Sequence, residues 1–159
     1  MVIGPPIVLP SIGADINETL KPVYDILSGS VSEIPAKIGS SAFVDVRDVA
    51  TIHVWVYEHP EEANGQRYIA TMSYGPPQGV ADILRYHYKD SKIGEKILIG
   101  NPGEGYIGYN KETGEVSEPD YLPELPRPSG KKAQEAIGLK LIPFTQSVIE
   151  TAKALEPLL

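Results

Sequence analysis

The stretch from Ala42 to Val54, AFVDVRDVATIHV, constrains the fold more than any other part of the chain. Phe43, Val44 and Val46 form an aromatic and β-branched run that reads as a short strand. Asp48 stands where a short carboxylate can accept the free N–H groups of a helix's first turn. Val49, Ile52 and Val56, with His53 beside them, then recur at helical spacing and offer an apolar stripe. A strand that runs straight into a helix is the building unit of an α/β fold.

The rest of the 159 residues supplies one core and one domain rather than two. Residues 15–28 read as a helix that Asp15 or Asn17 can cap, in which Pro22 is tolerated only in the first turn, with Gly29 after its end and Leu20, Val23, Tyr24 and Leu27 on one face. Residues 29–41 are rich in Ser and Gly and read as a loop. Pro60 ends the helix that follows Asp48. Residues 64–71 read as a turn and a strand, residues 78–88 as a helix with Val80, Ile83 and Leu84 inward, and residues 96–99 as a short strand. From Gly100 to Pro128 the chain is Gly- and Pro-rich, and a long irregular binding loop is expected there. Ser129 is placed to cap a helix that Gly138 closes, and Pro143 opens a last helix.

Charge and composition narrow the function classes. A net charge of −7 disfavours nucleic acid and anionic membranes as partners. The absence of Cys removes disulfides, thiolate chemistry and Cys-based zinc sites. No stretch is long and apolar enough to span a bilayer, and MVIGPPIVLP lacks the basic start of a signal peptide. A cytoplasmic location is therefore expected.

Two short motifs look chemical but stand in poor surroundings. Gly103-Glu104-Gly105-Tyr106-Ile107-Gly108 fits the glycine pattern of a dinucleotide turn, yet no helix pattern follows it. Tyr88 and Lys92 have Tyr-x-x-x-Lys spacing, which serves proton transfer when both lie on one helical face. Here a helix is ending, so the pair reads as coincidence. His53, His59 and His87 have no metal-ligand spacing, and no metal site is expected. No Gly-x-Ser-x-Gly elbow is present. Asp45, Asp48 and Arg47 read as a buried hydrogen-bond partner, a helix cap and a structural ion pair, not as an acid/base pair.

Three separated segments carry a family resemblance: FVDVRDVA, the opening Met1-Val2-Ile3-Gly4-Pro5-Pro6, and the order SGKKA, IG and IPFTQSVIETAK near the C-terminus. Together they resemble the C-terminal, substrate-binding part of extended short-chain dehydrogenase/reductases, of the NADPH-dependent aldehyde/ketone reductase type related to dihydroflavonol reductase. The resemblance implies an α/β fold: a substrate lobe with a remnant of the Rossmann sheet and the cofactor half missing. It implies a single truncated domain over 1–159, with the glycine-rich turn and the catalytic Ser, Tyr and Lys absent. No cofactor is expected for this chain alone, although the family uses NADPH.

The resemblance also places a substrate pocket. Its walls are Pro6, Ile7 and Leu9, then Asn17 and Tyr24, then Ser41 and Ala42, with Tyr106 and Tyr109 of the long loop lying over it. Tyr24 is the candidate proton donor. These positions suit a small, moderately hydrophobic carbonyl compound. Three classes remain open at this point: a reductase fragment or half of a two-chain reductase, a cofactor-independent isomerase, lyase or cyclase, and a non-catalytic binding or assembly module. The bare edges of a remnant sheet favour a homo-oligomer, or a partner chain that completes it.

Overall fold

The structure is a computed structural model that describes residues 2–3, 7–9, 16, 18–36, 42–121 and 129–159. Its centre is strand β3 (Ala42–Asp45), every residue of which is buried. Strand β2 (Ile7–Leu9) pairs with it in parallel, setting Ile7 against Phe43 and Leu9 against Asp45. Strand β5 (Ser73–Tyr74) pairs antiparallel on its other edge. A separate parallel pair joins β1 (Val2–Ile3) to β4 (Tyr68–Ile69).

Side chains alternate across a strand, so neighbours on β3 face opposite ways. Phe43 enters the larger core with Leu20, Val23, Ile26, Val80, Leu84, Phe144 and Val148. Val44 enters a smaller one with Ile52, Tyr68, Ala70 and Ala133. A strand covered on both faces has the continuous apolar character seen here, and this is why the FVDV run organises the molecule.

Helix α1 (Lys21–Ser28) packs its Val23, Ile26 and Leu27 into the larger core. It begins six residues later than the sequence reading places it. Pro22 sits in the first turn as expected, Leu20 is the residue before the helix, and Gly29 ends it with φ 72°. The two predicted caps, Asp15 and Asn17, lie outside the described residues. Helix α2 (Val46–Glu58) follows β3 without a loop. Asp45, not Asp48, caps it: the Asp45 carboxylate accepts from the Arg47 amide at 2.9 Å. The strand ends one residue early, so Val46 is already helical and Asp48 falls inside the first turn, where it is buried.

After α3 (Pro60–Ala63) and β4, helix α4 (Pro77–His87) buries every residue from Pro77 to Leu84. Residues 96–99 do not form the predicted strand. Ser91 caps a short helix α5 (Lys92–Lys96), after which the chain runs extended and buries Ile97. The predicted irregular loop is instead a hairpin, β6 (Tyr106–Tyr109) with β7 (Val116–Tyr121). Asn110 makes its turn: the side-chain carbonyl accepts from the Glu112 and Thr113 amides, a local alternative to ladder bonding.

Helix α6 (Lys131–Ile137) is preceded by Ser129, whose hydroxyl accepts from the Lys131 amide, and closed by Gly138. Pro143 precedes α7 (Phe144–Leu155), which packs against α1, α4, β3 and β7. Phe144 meets Phe43 edge-to-face with ring centroids 4.7 Å apart. Gly75 makes that approach possible: a Cβ there would lie 2.2 Å from the Phe144 ring. No helix among the described residues is long and apolar enough to cross a membrane.

Candidate functional site

The junction of β3 and α2 collects charge. Asp45 is fully buried and accepts from the Arg47 amide, from Arg47 Nε and Nη2 at 2.8 Å each, and from the Ser147 hydroxyl at 2.8 Å. Arg47 Nη2 also reaches Glu150 at 2.7 Å. Burial pushes the Asp45 carboxyl up, but the bonds from Arg47 and Ser147 outweigh it and its pKa is lowered. Asp48 has a weaker environment. Burial raises its pKa, the charge of Asp45 adds to this, and the single bond from the Ile142 amide at 2.9 Å opposes it. Both oxygens of Asp45 are taken, so with Arg47, Ser147 and Glu150 it ties β3 to α7 as a structural clamp.

Of the predicted pocket residues, Pro6, Asn17 and Ser41 lie outside the described residues. Ile7 and Leu9 lie on the strand beside the one that Ala42 opens, in register with Phe43 and Asp45. Tyr24 is half-buried on α1 and donates its hydroxyl to the Leu158 carbonyl at 2.8 Å, tying α1 to the C-terminal turn. Tyr106 is buried and donates to Asp82 at 2.6 Å. Tyr106 and Tyr109 lie edge-to-face at 6.4 Å on the hairpin. The structure thus forms two groups: one at the β2–β3 edge and one on the hairpin. Tyr109 lines a cleft of about 230 Å³ with Asp82, Arg85, Tyr86 and Lys89, a cleft that Tyr24 does not line.

The sequence reading missed Asp82 and Gln78. Asp82 lies on the buried run of α4, and its carboxylate accepts from Gln78 Nε2, the Gly103 amide and the Tyr106 hydroxyl. Gln78 Nε2 also donates to the Ile99 carbonyl, and its carbonyl oxygen accepts from the Asn101 amide. A carboxylate four residues after Gln78, on a helix otherwise apolar inward, was the available signal. Such a group is buried only with partners.

The two short motifs have other roles. Gly103 gives its amide to Asp82 at the turn before β6, Gly108 lies within that strand, and no helix follows. Tyr88 ends α4, while Lys92 begins α5. The Tyr88 hydroxyl donates to Glu156 at 2.5 Å. Burial pushes its pKa up, and the Glu156 carboxylate adds to this, the reverse of what a proton-donating tyrosine beside a lysine needs. Among the described residues no group of three or more His, Asp or Glu is placed to hold a metal ion.

No protein-family model matches the chain. Two curated proteins do, over nearly its whole length. An uncharacterised oxidoreductase of Saccharomyces cerevisiae is 26% identical over 154 residues, 97% of this chain and 40% of that protein. A cinnamoyl-CoA reductase of Petunia hybrida is 28% identical over 157 residues, 98% of this chain and 40% of that protein. Among solved structures, the yeast methylglyoxal/isovaleraldehyde reductase complexed with NADPH superposes with a TM-score of 0.68 at 24% identity, covering 98% of this chain and 45% of that one. Over nearly its whole length the chain is similar to part of a reductase. Its α/β fold is that of part of these reductase chains, and it spans about two fifths of the length of the curated relatives it matches.

Proposed function

We propose that this chain forms the substrate-binding side of a short-chain-reductase-like protein that acts on a small, moderately hydrophobic carbonyl compound. In this reading the NADPH site and the catalytic Ser, Tyr and Lys are not on this chain. The observation that carries it is the parallel pairing of β2 with β3. It sets Ile7–Leu9 alongside the strand that Ala42 opens, and the family resemblance assigns Ile7, Leu9 and Ala42 to the substrate wall. The likeness to reductases over 97–98% of the chain supports the same reading. The methylglyoxal/isovaleraldehyde reductase supplies a fitting probe, since isovaleraldehyde is small, branched and apolar apart from its carbonyl.

The test is a pair of titrations of the purified chain. Isovaleraldehyde is expected to shift amide resonances of residues 7–9 and 42–44 saturably, while NADPH releases no heat of binding in calorimetry. A dissociation constant for NADPH in the micromolar range or tighter would overturn the division of roles. Aldehyde-induced shifts confined to other parts of the chain would overturn the placement of the substrate wall.

A further inference from the structure

The chain is acidic overall, yet one cleft gathers cations without a matching acid. It lies between the C-terminal end of α4 and the β6–β7 hairpin, with a volume of about 230 Å³. Arg85 and Lys89 line it, and Asp82 is the only carboxylate among its lining residues. Asp82 cannot neutralise them by contact. It is buried, and its oxygens hold Gln78, the Gly103 amide and the Tyr106 hydroxyl.

The cations are held in place but not consumed. Arg85 Nη1 donates to the Ile97 carbonyl at 2.8 Å, which fixes the guanidinium. Its other N–H groups have no partner among the described residues, and it pairs with no carboxylate there. Lys89 Nζ lies 4.9 Å from the centroid of the Tyr86 ring and likewise has no acidic partner among the described residues. The rest of the wall is two aromatic rings, Tyr86 and Tyr109, with Ile99, Pro102, Thr113 and Gly114. Neither tyrosine hydroxyl has a hydrogen-bond partner among the described residues. Gly114 stands at the same wall, and a Cβ there would lie 4.0 Å from both the Tyr109 hydroxyl and the Tyr86 ring.

We propose that this cleft binds a small organic carboxylate with a flat apolar body. The carboxylate would take the free guanidinium edge of Arg85 and the ammonium of Lys89, as charge-assisted hydrogen bonds favour. The body would lie against the Tyr86 and Tyr109 rings. The volume admits one ring and little more. Inorganic phosphate offers the charge but nothing for the tyrosines to cover. The inference does not rest on the reductase reading, because none of residues 7–9 and 42–44 lines this cleft.

The test uses the full chain, benzoate as the probe, and amide chemical shifts of residues 85–89 and 109–114 as the readout. Benzoate is expected to saturate those shifts, with benzamide and inorganic phosphate each binding at least about ten-fold more weakly. Lys89→Gln and Tyr109→Leu are each expected to weaken benzoate by about ten-fold, leaving the remaining resonances in place. Lys89 is exposed, so its variant retains the fold. Absence of saturable shifts up to about 20 mM benzoate overturns the site. Benzamide binding as well as benzoate overturns the role of charge, phosphate binding as well as benzoate overturns the role of the aromatic wall, and an unchanged affinity in Lys89→Gln overturns the assignment of the cation.

Discussion

Asp45 carries more of the fold's polar organisation than any other side chain described, because one buried carboxylate serves as helix cap, ion-pair partner and anchor for α7. Asp45→Asn keeps the size but turns an amide N–H toward the Arg47 and Ser147 donors. Arg47 is half-exposed and can rehydrate, so the loss should be about 2 kcal/mol rather than the full cost of a stranded buried charge. Urea denaturation followed through Trp55, the single tryptophan, would measure it. The pH dependence has a definite sign. The Asp45 pKa is lowered in the fold, so its contribution is present above its ordinary value of 3.8 and disappears as pH falls through the folded value. The gap between wild type and Asp45→Asn should therefore close on acidification. Asp48 is raised, so its charged form opposes folding above that range. Asp48→Asn, whose carbonyl can still accept from Ile142, should cost less at neutral pH than Asp45→Asn does. The hairpin offers a second case at this scale. Tyr106→Phe leaves Asp82 with one donor fewer in a buried setting, and about 1–2 kcal/mol of stability should go with it. An unchanged urea midpoint would show that water replaces the phenol.

Elements whose signals are local were legible in the sequence, and those that depend on distant partners were not. The switch from strand to helix at Asp45 shows as a change from a continuous apolar run to an apolar period of nearly four, and α4 and α7 show the same helical stripe. Pro22, Gly29, Gly138 and Pro143 mark helix ends correctly because their conformational limits act within a few residues. The hairpin was hidden for the opposite reason. Its ladder is irregular between Ile107 and Tyr109, and Glu118 takes a left-handed φ of 44°, so neither strand alternates cleanly. Glu118 instead accepts from the Phe144 amide at 3.1 Å, a bond between residues far apart in sequence. Another contact between residues far apart in sequence is that of Gly75 with Phe144. Gly75→Ala needs no unusual backbone angle, but its Cβ would meet the ring, and overpacking should cost about 1–3 kcal/mol. Phe144→Leu should itself be destabilising while relieving that clash. The double variant should then be markedly more stable than the sum of the two losses predicts. Strict additivity in chemical denaturation would place the strain elsewhere.

At the scale of the whole molecule, the sheet is the feature that governs behaviour in solution. Among the described residues it is divided into a parallel pair, β1 with β4, and a three-stranded unit, β2–β3–β5. Among the described residues no further strand pairs with β2 at the outer edge of the three-stranded unit, and parallel sheets ordinarily occur buried between other elements. A two-stranded pair is marginal by itself. Helix α2 adds an apolar contribution on its outer face, where Val54 is 55% and Tyr57 86% exposed. This much was legible from the family resemblance, which reads the strands as part of a larger sheet; the partners of Tyr24 and Tyr106 were not, because each lies far along the chain. An outer sheet edge and an apolar helix face both favour a second protein surface, either another copy of this chain or a partner that completes the sheet. Sedimentation equilibrium should show a mass that rises with concentration through the micromolar range. Because the association would use backbone edges and apolar area rather than ion pairs, added salt should not dissolve it. A stable monomer at about 100 μM, with no tendency to aggregate, would mean that the edges are capped within the chain itself.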